Sequence, residues 1–232
     1  MIRLTHTFLP FAACGLLLSA CAPENAADAS QNAADAVATT ATAAVTAAAT
    51  AMSGAPDLGD APAGVYEAEL THAYITFFYD HQGYSKPYLR FRKFTADMNL
   101  DPADMSNSSV NVTIDINSID SGVDIFDEHL RGDGFFDVAN HPEGTFESTS
   151  FKPNAKGGEL TGNLTLKGIT KPVTLDVVFN KAGQNFRSKV PQVGFSASGT
   201  IMRSDWDLGK YAPNVGDEVS LIIEAEFQKK AE

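Results

Sequence analysis

The chain has 232 residues and a formal net charge of −12, with 29 acids against 17 lysines and arginines. Such an acidic surface repels phosphate backbones and anionic headgroups, so no nucleic acid is expected as a partner and overall charge does not draw the chain to a membrane. Of two cysteines, Cys14 falls inside an apolar leader, so Cys21 stands alone in the rest and no internal disulfide is expected to hold the fold.

In chain order, Arg3 supplies a weak positive start and Phe8–Leu18 is an apolar run interrupted by Pro10. That run is shorter than the ~18 apolar residues a spanning helix needs. Leu18-Ser19-Ala20-Cys21 resembles a lipobox, the cleavage site of bacterial lipoproteins. The resemblance implies that residues 1–20 are a removed signal peptide and that Cys21 is the lipid-attachment residue. Several acyl chains on one cysteine give the stable membrane anchoring that a single chain does not. Cleavage would remove Arg3 and no acid, leaving 16 cations against 29 acids, a net −13. Ala22 rather than Asp follows the cysteine, as in lipoproteins sorted to an outer membrane. The expected location is the cell envelope, lipid-anchored in the outer membrane and facing the periplasm.

Residues 21–64 read as the lipidated Cys followed by an Ala/Thr-rich tether. The segment contains no aromatic residue, so it has too little to bury to offset the entropy of ordering. As a flexible coil it spans roughly 35–40 Å. The texture changes over residues 65–232, which hold all 6 Tyr, the only Trp and 13 of the 15 Phe. One domain with a sizeable core is expected there.

The domain's pattern is period two. Val110, Val112, Ile114 and Ile116 alternate with polar residues, as do Leu160, Leu164 and Leu166, then Val173, Leu175, Val177 and Phe179, then Val219, Leu221, Ile223, Ala225 and Phe227. Such alternation predicts half-buried antiparallel strands. Further strands are expected at 66–71, 72–81, 88–100, 145–152 and 193–203. In 88–100, Leu89 and Phe91 have one parity and Phe94, Ala96, Met98 and Leu100 the other. A bulge near Arg92-Lys93 would return all six to one face. Eight or nine such strands predict an all-β fold, a closed antiparallel barrel rather than an open sheet with exposed edges. One helix is expected, Ile125–Leu130, and a turn near Asp205–Lys210.

The stretch Asp127–Phe146 packs acids, two His, an Arg and three Phe together and invites reading as an active site. Asp127, Glu128, Asp133, Asp137 and Glu143 offer carboxylates, and His129 and His141 offer imidazoles. Their spacing matches no zinc motif. Arg131 and His129 stand where an EF-hand loop needs oxygen ligands before Asp133-Gly134. There is no Gly-x-Ser-x-Gly elbow, and the domain has no Cys nucleophile. No catalytic residue, metal or cofactor is therefore expected. As architecture, the same stretch is a short amphipathic helix, a Gly132-x-Gly134 break and a Phe135-Phe136 pair, closing one end of a barrel with its charges on the wet side. His72 and His81 would fall on opposite faces of a regular strand. Arg203 and Asp205 could pair across a turn.

The run from His129 through Phe146, His-Leu-Arg-x-x-x-Phe-Phe-Asp-Val-x-x-x-Pro-x-x-x-Phe, resembles the central signature of the YceI-like family of lipocalin-like, lipid-binding barrels. Leu160–Leu175 and Gly194–Trp206 are similar to two further segments of that family, as are His72-x-x-Ile75-x-Phe77 and His81-x-Gly83-x-Ser85. The matches run in order from Val65 to Phe227. Three positions depart from the family pattern: Ala73 replaces a small Ser, Leu89-Arg90-Phe91 a Gly-x-Phe, and Trp206 a Phe. The last two changes enlarge side chains near one wall.

The resemblance implies an antiparallel lipocalin-like barrel of about eight strands with a short helical cap. It also implies a periplasm-facing protein that binds, sequesters or carries a long-chain apolar lipid, polyisoprenoid- or quinone-like first and fatty-acid-derived second. Lining of its tunnel is expected from Ile75, Phe77, Phe91, Phe94, Met98, Ile114, Ile116, Phe135, Phe136, Phe146, Leu164, Val177, Phe195 and Phe227. The same residues would equally fill a closed core. Two alternatives stand beside the carrier: a non-enzymatic envelope interaction or adhesion module with a closed barrel, and a hydrolase using the acidic cap. The expected partners are the lipid and the membrane reached through Cys21. A homodimer is compatible with the sequence.

Overall fold

The computed structural model describes residues 54–231. The leader, Cys21 and the tether as far as Ser53 lie outside them. Ten strand segments alternate along the chain: β1 (Gly64–Tyr79), β2 (Tyr88–Phe91), β3 (Phe94–Leu100), β4 (Ser109–Asp115), β5 (Ile119–Asp120), β6 (Glu143–Asn154), β7 (Gly157–Leu166), β8 (Ile169–Gln184), β9 (Pro191–Met202) and β10 (Glu218–Lys229). Every neighbouring pair is antiparallel, and the ring runs β1-β10-β9-β8-β7-β6-β4-β3 back to β1. The short β2 and β5 prolong β3 and β4 past their kinks, beside the far half of β1. The result is a closed antiparallel barrel of eight staves, as the alternation predicts.

The phase break at Arg92-Lys93 is real. Leu89, Phe91, Ala96, Met98 and Leu100 are all buried, and the residues between them are exposed apart from half-buried Phe94. The kink keeps its backbone satisfied through buried Ser118. Its carbonyl accepts from Arg92 N at 3.1 Å and its hydroxyl from Lys93 N at 2.9 Å. A strand can bend here without leaving orphan amides.

A second break lies within β1. The strands expected at 66–71 and 72–81 are one continuous strand, β1. Its pairing with β10 jumps from Ala68↔Phe227 to Ala73↔Ala225, so Glu69–His72 stand opposite the single residue Glu226. Tyr66 faces inward before this bulge and Ala73, Ile75 and Phe77 after it. The inward parity changes within one strand because of this insertion.

The two barrel ends are closed differently. At one, helix α1 (Asp124–Arg131) folds across the opening and buries Leu130. The turn behind it is fixed by Phe136 N to Leu130 O and Val138 N to Arg131 O, both 3.0 Å. Beside it lies the β9–β10 loop, residues 203–217. The sequence pairing of Arg203 with Asp205 does not form. Buried Arg203 instead donates to the carbonyls of Gly216 (2.8 Å), Lys210 (2.9 Å), Val215 (3.0 Å) and Leu208. Burial lowers its pKa from the usual guanidinium range. Trp206, buried at 2% exposure, donates from Nε1 to Leu164 O at 3.1 Å.

At the opposite end the chain before β1 takes part in the fold. Pro56 and Leu58 are buried, and Leu58 packs in a cluster with Tyr66, Leu100 and Met105. Tyr66 Oη donates to Pro62 O at 2.7 Å. The packed chain thus begins before Val65, where aromatic content alone placed it. A lone Leu among Ala, Gly and Pro gives no periodicity to read.

Candidate functional site

Inside the barrel runs a cavity of about 470 Å³. That lies within the ~300–1,000 Å³ usual for small-molecule sites. Its wall comes from inward-facing positions of every stave, because period two sends alternate side chains to the axis. Thirteen of the fourteen residues singled out from sequence lie on it: Ile75, Phe77, Phe91, Phe94, Met98, Ile114, Phe135, Phe136, Phe146, Leu164, Val177, Phe195 and Phe227. Aromatic contacts tie the wall together, with ring centroids 5.4 Å apart for Phe77–Phe91 and 5.9 Å for Phe91–Phe136.

Ile116 is the exception. The strand ends at Asp115, and Ile116 opens a 3-10 turn whose amide donates to Pro142 O at 2.9 Å. Its side chain, 1% exposed, packs toward Gly144 instead of the cavity. Counting by two overran the strand by one residue. Of the three departures from the family pattern, Leu89 lies on the wall, whereas Ala73 and Trp206 do not. Only the first narrows the cavity.

Sequence reasoning missed several wall residues. Leu89 and Leu221 share parity with chosen neighbours, Phe151 is brought inward by the register shift of β6 between Ser148 and Ser150, and Phe126 comes from α1. Ala96 and Ala197 also face the cavity. Small residues on an inward parity are the signal for open space, and attention to bulky aromatics passes over them.

Polar groups gather where the cavity meets the α1 end: Tyr79, His81, His129, Lys210 and Tyr211. Lys210 Nζ sits 5.4 Å from the Phe135 ring centroid and 5.3 Å from that of Tyr211, and the His129 ring lies 4.9 Å from Phe135. Burial raises the pKa of Tyr79. Elsewhere the wall is almost wholly apolar, Glu224 on β10 being its one carboxylate; it accepts from Ser196 Oγ at 2.6 Å.

The acids of the Asp127–Phe146 segment do not converge. Asp127, expected on the wet side, is buried at 6% exposure and accepts from Ser121 N at 2.7 Å, fixing the turn into α1. Asp137 accepts from Asn140 Nδ2 at 2.9 and 3.0 Å. His141 lies against Gly168.

The carboxylate–imidazole cluster found among the described residues is elsewhere, at the β1 bulge. Glu69, His72 and Glu226 bring one ligand atom each within 4.8 Å of one another. His72 Nδ1 hydrogen-bonds Glu69 Oε2 and lies 4.0 Å from Glu226 Oε2. Judging His72 against His81 missed this grouping, which exists because four residues of β1 face one of β10.

The bond to Glu69 raises the His72 pKa above its ordinary 6.5, favouring the imidazolium. The pairing therefore adds its small, solvent-screened stabilisation while Glu69 is ionised and His72 protonated. It is lost as pH rises from 6.5 through the folded-state His72 value, and again as pH falls through the Glu69 value, which lies below its ordinary 4.5. An NMR titration should place the His72 midpoint above 6.5, and Glu69→Gln should lower it. An unchanged midpoint in the variant would show that the bond is not made in solution.

Comparison with known proteins places this barrel. Residues 66–227 match the YceI-like domain. A UPF0312 protein of Pectobacterium carotovorum is 39% identical over 174 residues, covering 72% of this chain and 88% of that protein. A UPF0312 protein of Yersinia pestis is 38% identical over 170 residues, with the same coverages of 72% and 88%. Among solved structures, Burkholderia cenocepacia BcnA superposes with a TM-score of 0.61 at 27% identity, covering 68% of this chain and 98% of that one. A polyisoprenoid binding domain from Saccharophagus degradans shares the fold, with a TM-score of 0.54 at 14% identity over 71% of this chain and 98% of that one. By matched length, order of motifs and barrel topology, this chain belongs to the YceI-like domain family.

Proposed function

We propose that the protein binds and carries a long-chain apolar lipid inside its barrel. The observation that carries the reading is the cavity itself: about 470 Å³ of space bounded by apolar side chains from all eight staves, with polar groups concentrated at the α1 end. Such a wall offers a hydrocarbon chain a place out of water and offers a polar substrate almost no partners. At ~0.8 kcal/mol per methylene, a dozen buried groups supply roughly 10 kcal/mol before ordering costs. The solved fold neighbour from Saccharophagus degradans, named as a polyisoprenoid binding domain, agrees with this reading at the level of fold. The occupant we favour is a polyisoprenoid or quinone-like tail, followed by a fatty acid derivative.

The proposed setting is the envelope. Leu18–Cys21 and Ala22 support an outer-membrane lipoprotein whose barrel hangs in the periplasm from the acylated Cys21. Native mass spectrometry of the full chain, purified from cells in mild detergent, tests the binding. It should show a co-purifying long-chain species that solvent extraction releases. A lipid-free preparation whose thermal midpoint stays fixed on addition of long-chain lipid would overturn the proposal.

A further inference from the structure

The β8–β9 hairpin projects past its neighbour. Pairing of β7 with β8 stops at Gly157↔Val178, whereas β8 and β9 stay paired out to Gln184↔Pro191. At the tip, Phe186 is 78% exposed. The turn that presents it is ordered: Asn185 Oδ1 accepts from Arg187 N and Ser188 N, both at 3.0 Å. The Arg187 guanidinium lies 5.4 Å from the Phe186 ring centroid, and Lys189 Nζ donates to Phe186 O at 2.9 Å.

Charge sets this hairpin apart. Residues 179–195 carry Lys181, Arg187 and Lys189, all exposed, and no acid, in a chain with 29 acids. Exposed Lys156, in the β6–β7 turn, adds a cation at the same end, where exposed Asp57 and Asp60 lie on the separate segment leading into β1. Net charge does not decide what such a tip meets, because beyond roughly 8 Å salt screens the rest of the molecule. A large apolar ring flanked by cations matches the boundary between acyl chains and anionic headgroups.

Position identifies the partner. Gln192 pairs with Gln228 and Lys229 with Tyr66, so the tip stands at the barrel end where residues 54–63 lead into β1. That is the side at which the described residues begin, with Cys21 earlier in the chain. We propose that the β8–β9 tip is a membrane-contacting element, seating Phe186 among anionic phospholipid headgroups. This orientation rests on the reading of Cys21 as the anchor. The α1 end of the barrel, with its polar rim, then faces away from the bilayer.

The test uses the full chain with Cys21→Ser, so that no acyl chain contributes, and with Phe186→Trp as reporter. Vesicles of phosphatidylethanolamine with phosphatidylglycerol should shift the reporter emission to the blue, and brominated lipids should quench it. Trp206, buried at the other end, gives the folding control. Adding Lys181→Glu, Arg187→Glu and Lys189→Glu should weaken vesicle binding on the order of a hundredfold, about fivefold or more per charge. An unshifted reporter, equal binding to phosphatidylcholine vesicles, or an unaffected triple variant overturns the proposal. So does a crosslink from position 186 to another protein without lipid quenching. The anchor is tested separately, by the mass of Cys21 peptides from cells. A missing lipid there removes the anchor and leaves the vesicle result standing.

Discussion

With Ala96 and Ala197 both replaced by Phe, the protein should fold and lose its long-chain ligand. Ala96 faces the cavity from β3 and Ala197 from β9, where it pairs with Val177 and Ile223. Two benzyl groups there fill space that the present side chains leave open. Overpacking a filled core costs about 1–3 kcal/mol, but these rings enter a void and gain contacts in it. Lipid affinity should fall at least on the order of a hundredfold, equivalent to a few buried methylenes. The melting midpoint should stay near or above that of the delipidated parent. Titration with a fluorescent fatty acid, beside a thermal melt, reads both quantities. Full retention of lipid by a folded double variant would move the binding site out of the barrel.

The second large effect is on the loop beside the α1 end. Arg203→Met keeps the apolar stem and removes the guanidinium that four carbonyls of residues 208–216 share. Those oxygens must then find water or stay unpaired, at ~1–3 kcal/mol for each one left buried. A total loss of about 3 kcal/mol is expected, a fall of roughly 6–12 °C in Tm for a domain of this size. Hydrogen exchange should quicken in residues 203–217 well before it does in β7 or β8. Arg203→Lys should recover only part of the loss, since one ammonium cannot reach carbonyls spread around a planar fork. Uniform destabilisation with normal loop protection would contradict the clamp.

Most of the barrel was legible because period two is a strong signal wherever one face is wet and the other dry. The kinked stave came through: Leu89 and Phe91 against Phe94–Leu100 have no economical explanation except a break at Arg92-Lys93. The same logic failed at β1, because a four-against-one bulge changes parity just as a turn does. Glu69–His72 carry no Gly or Pro that would separate the two cases. Ile116 failed for a smaller reason, since a strand that turns into a 3-10 helix keeps its apolar residue and changes its direction. The cavity was legible in outline through Phe77, Phe146, Phe195 and their like. Its size was not, because it depends on alanines and on distances across the ring. Arg203 looked like half of an ion pair. That it serves backbone carbonyls follows only from where the loop returns, and local spacing carries no trace of it.

Ring closure also constrains when this protein can become itself. The last seam joins β1 to β10, Tyr66 to Lys229, the first and last staves in the sequence. Until β10 has been delivered, β1 and β9 each present an open edge, and the apolar wall has water on it. Contacts of such long sequence separation form slowly. A chain synthesised from its N-terminus therefore passes through its most aggregation-prone state just before completion. An acidic, well-solvated outer surface is what the incomplete barrel has to keep it apart from its copies.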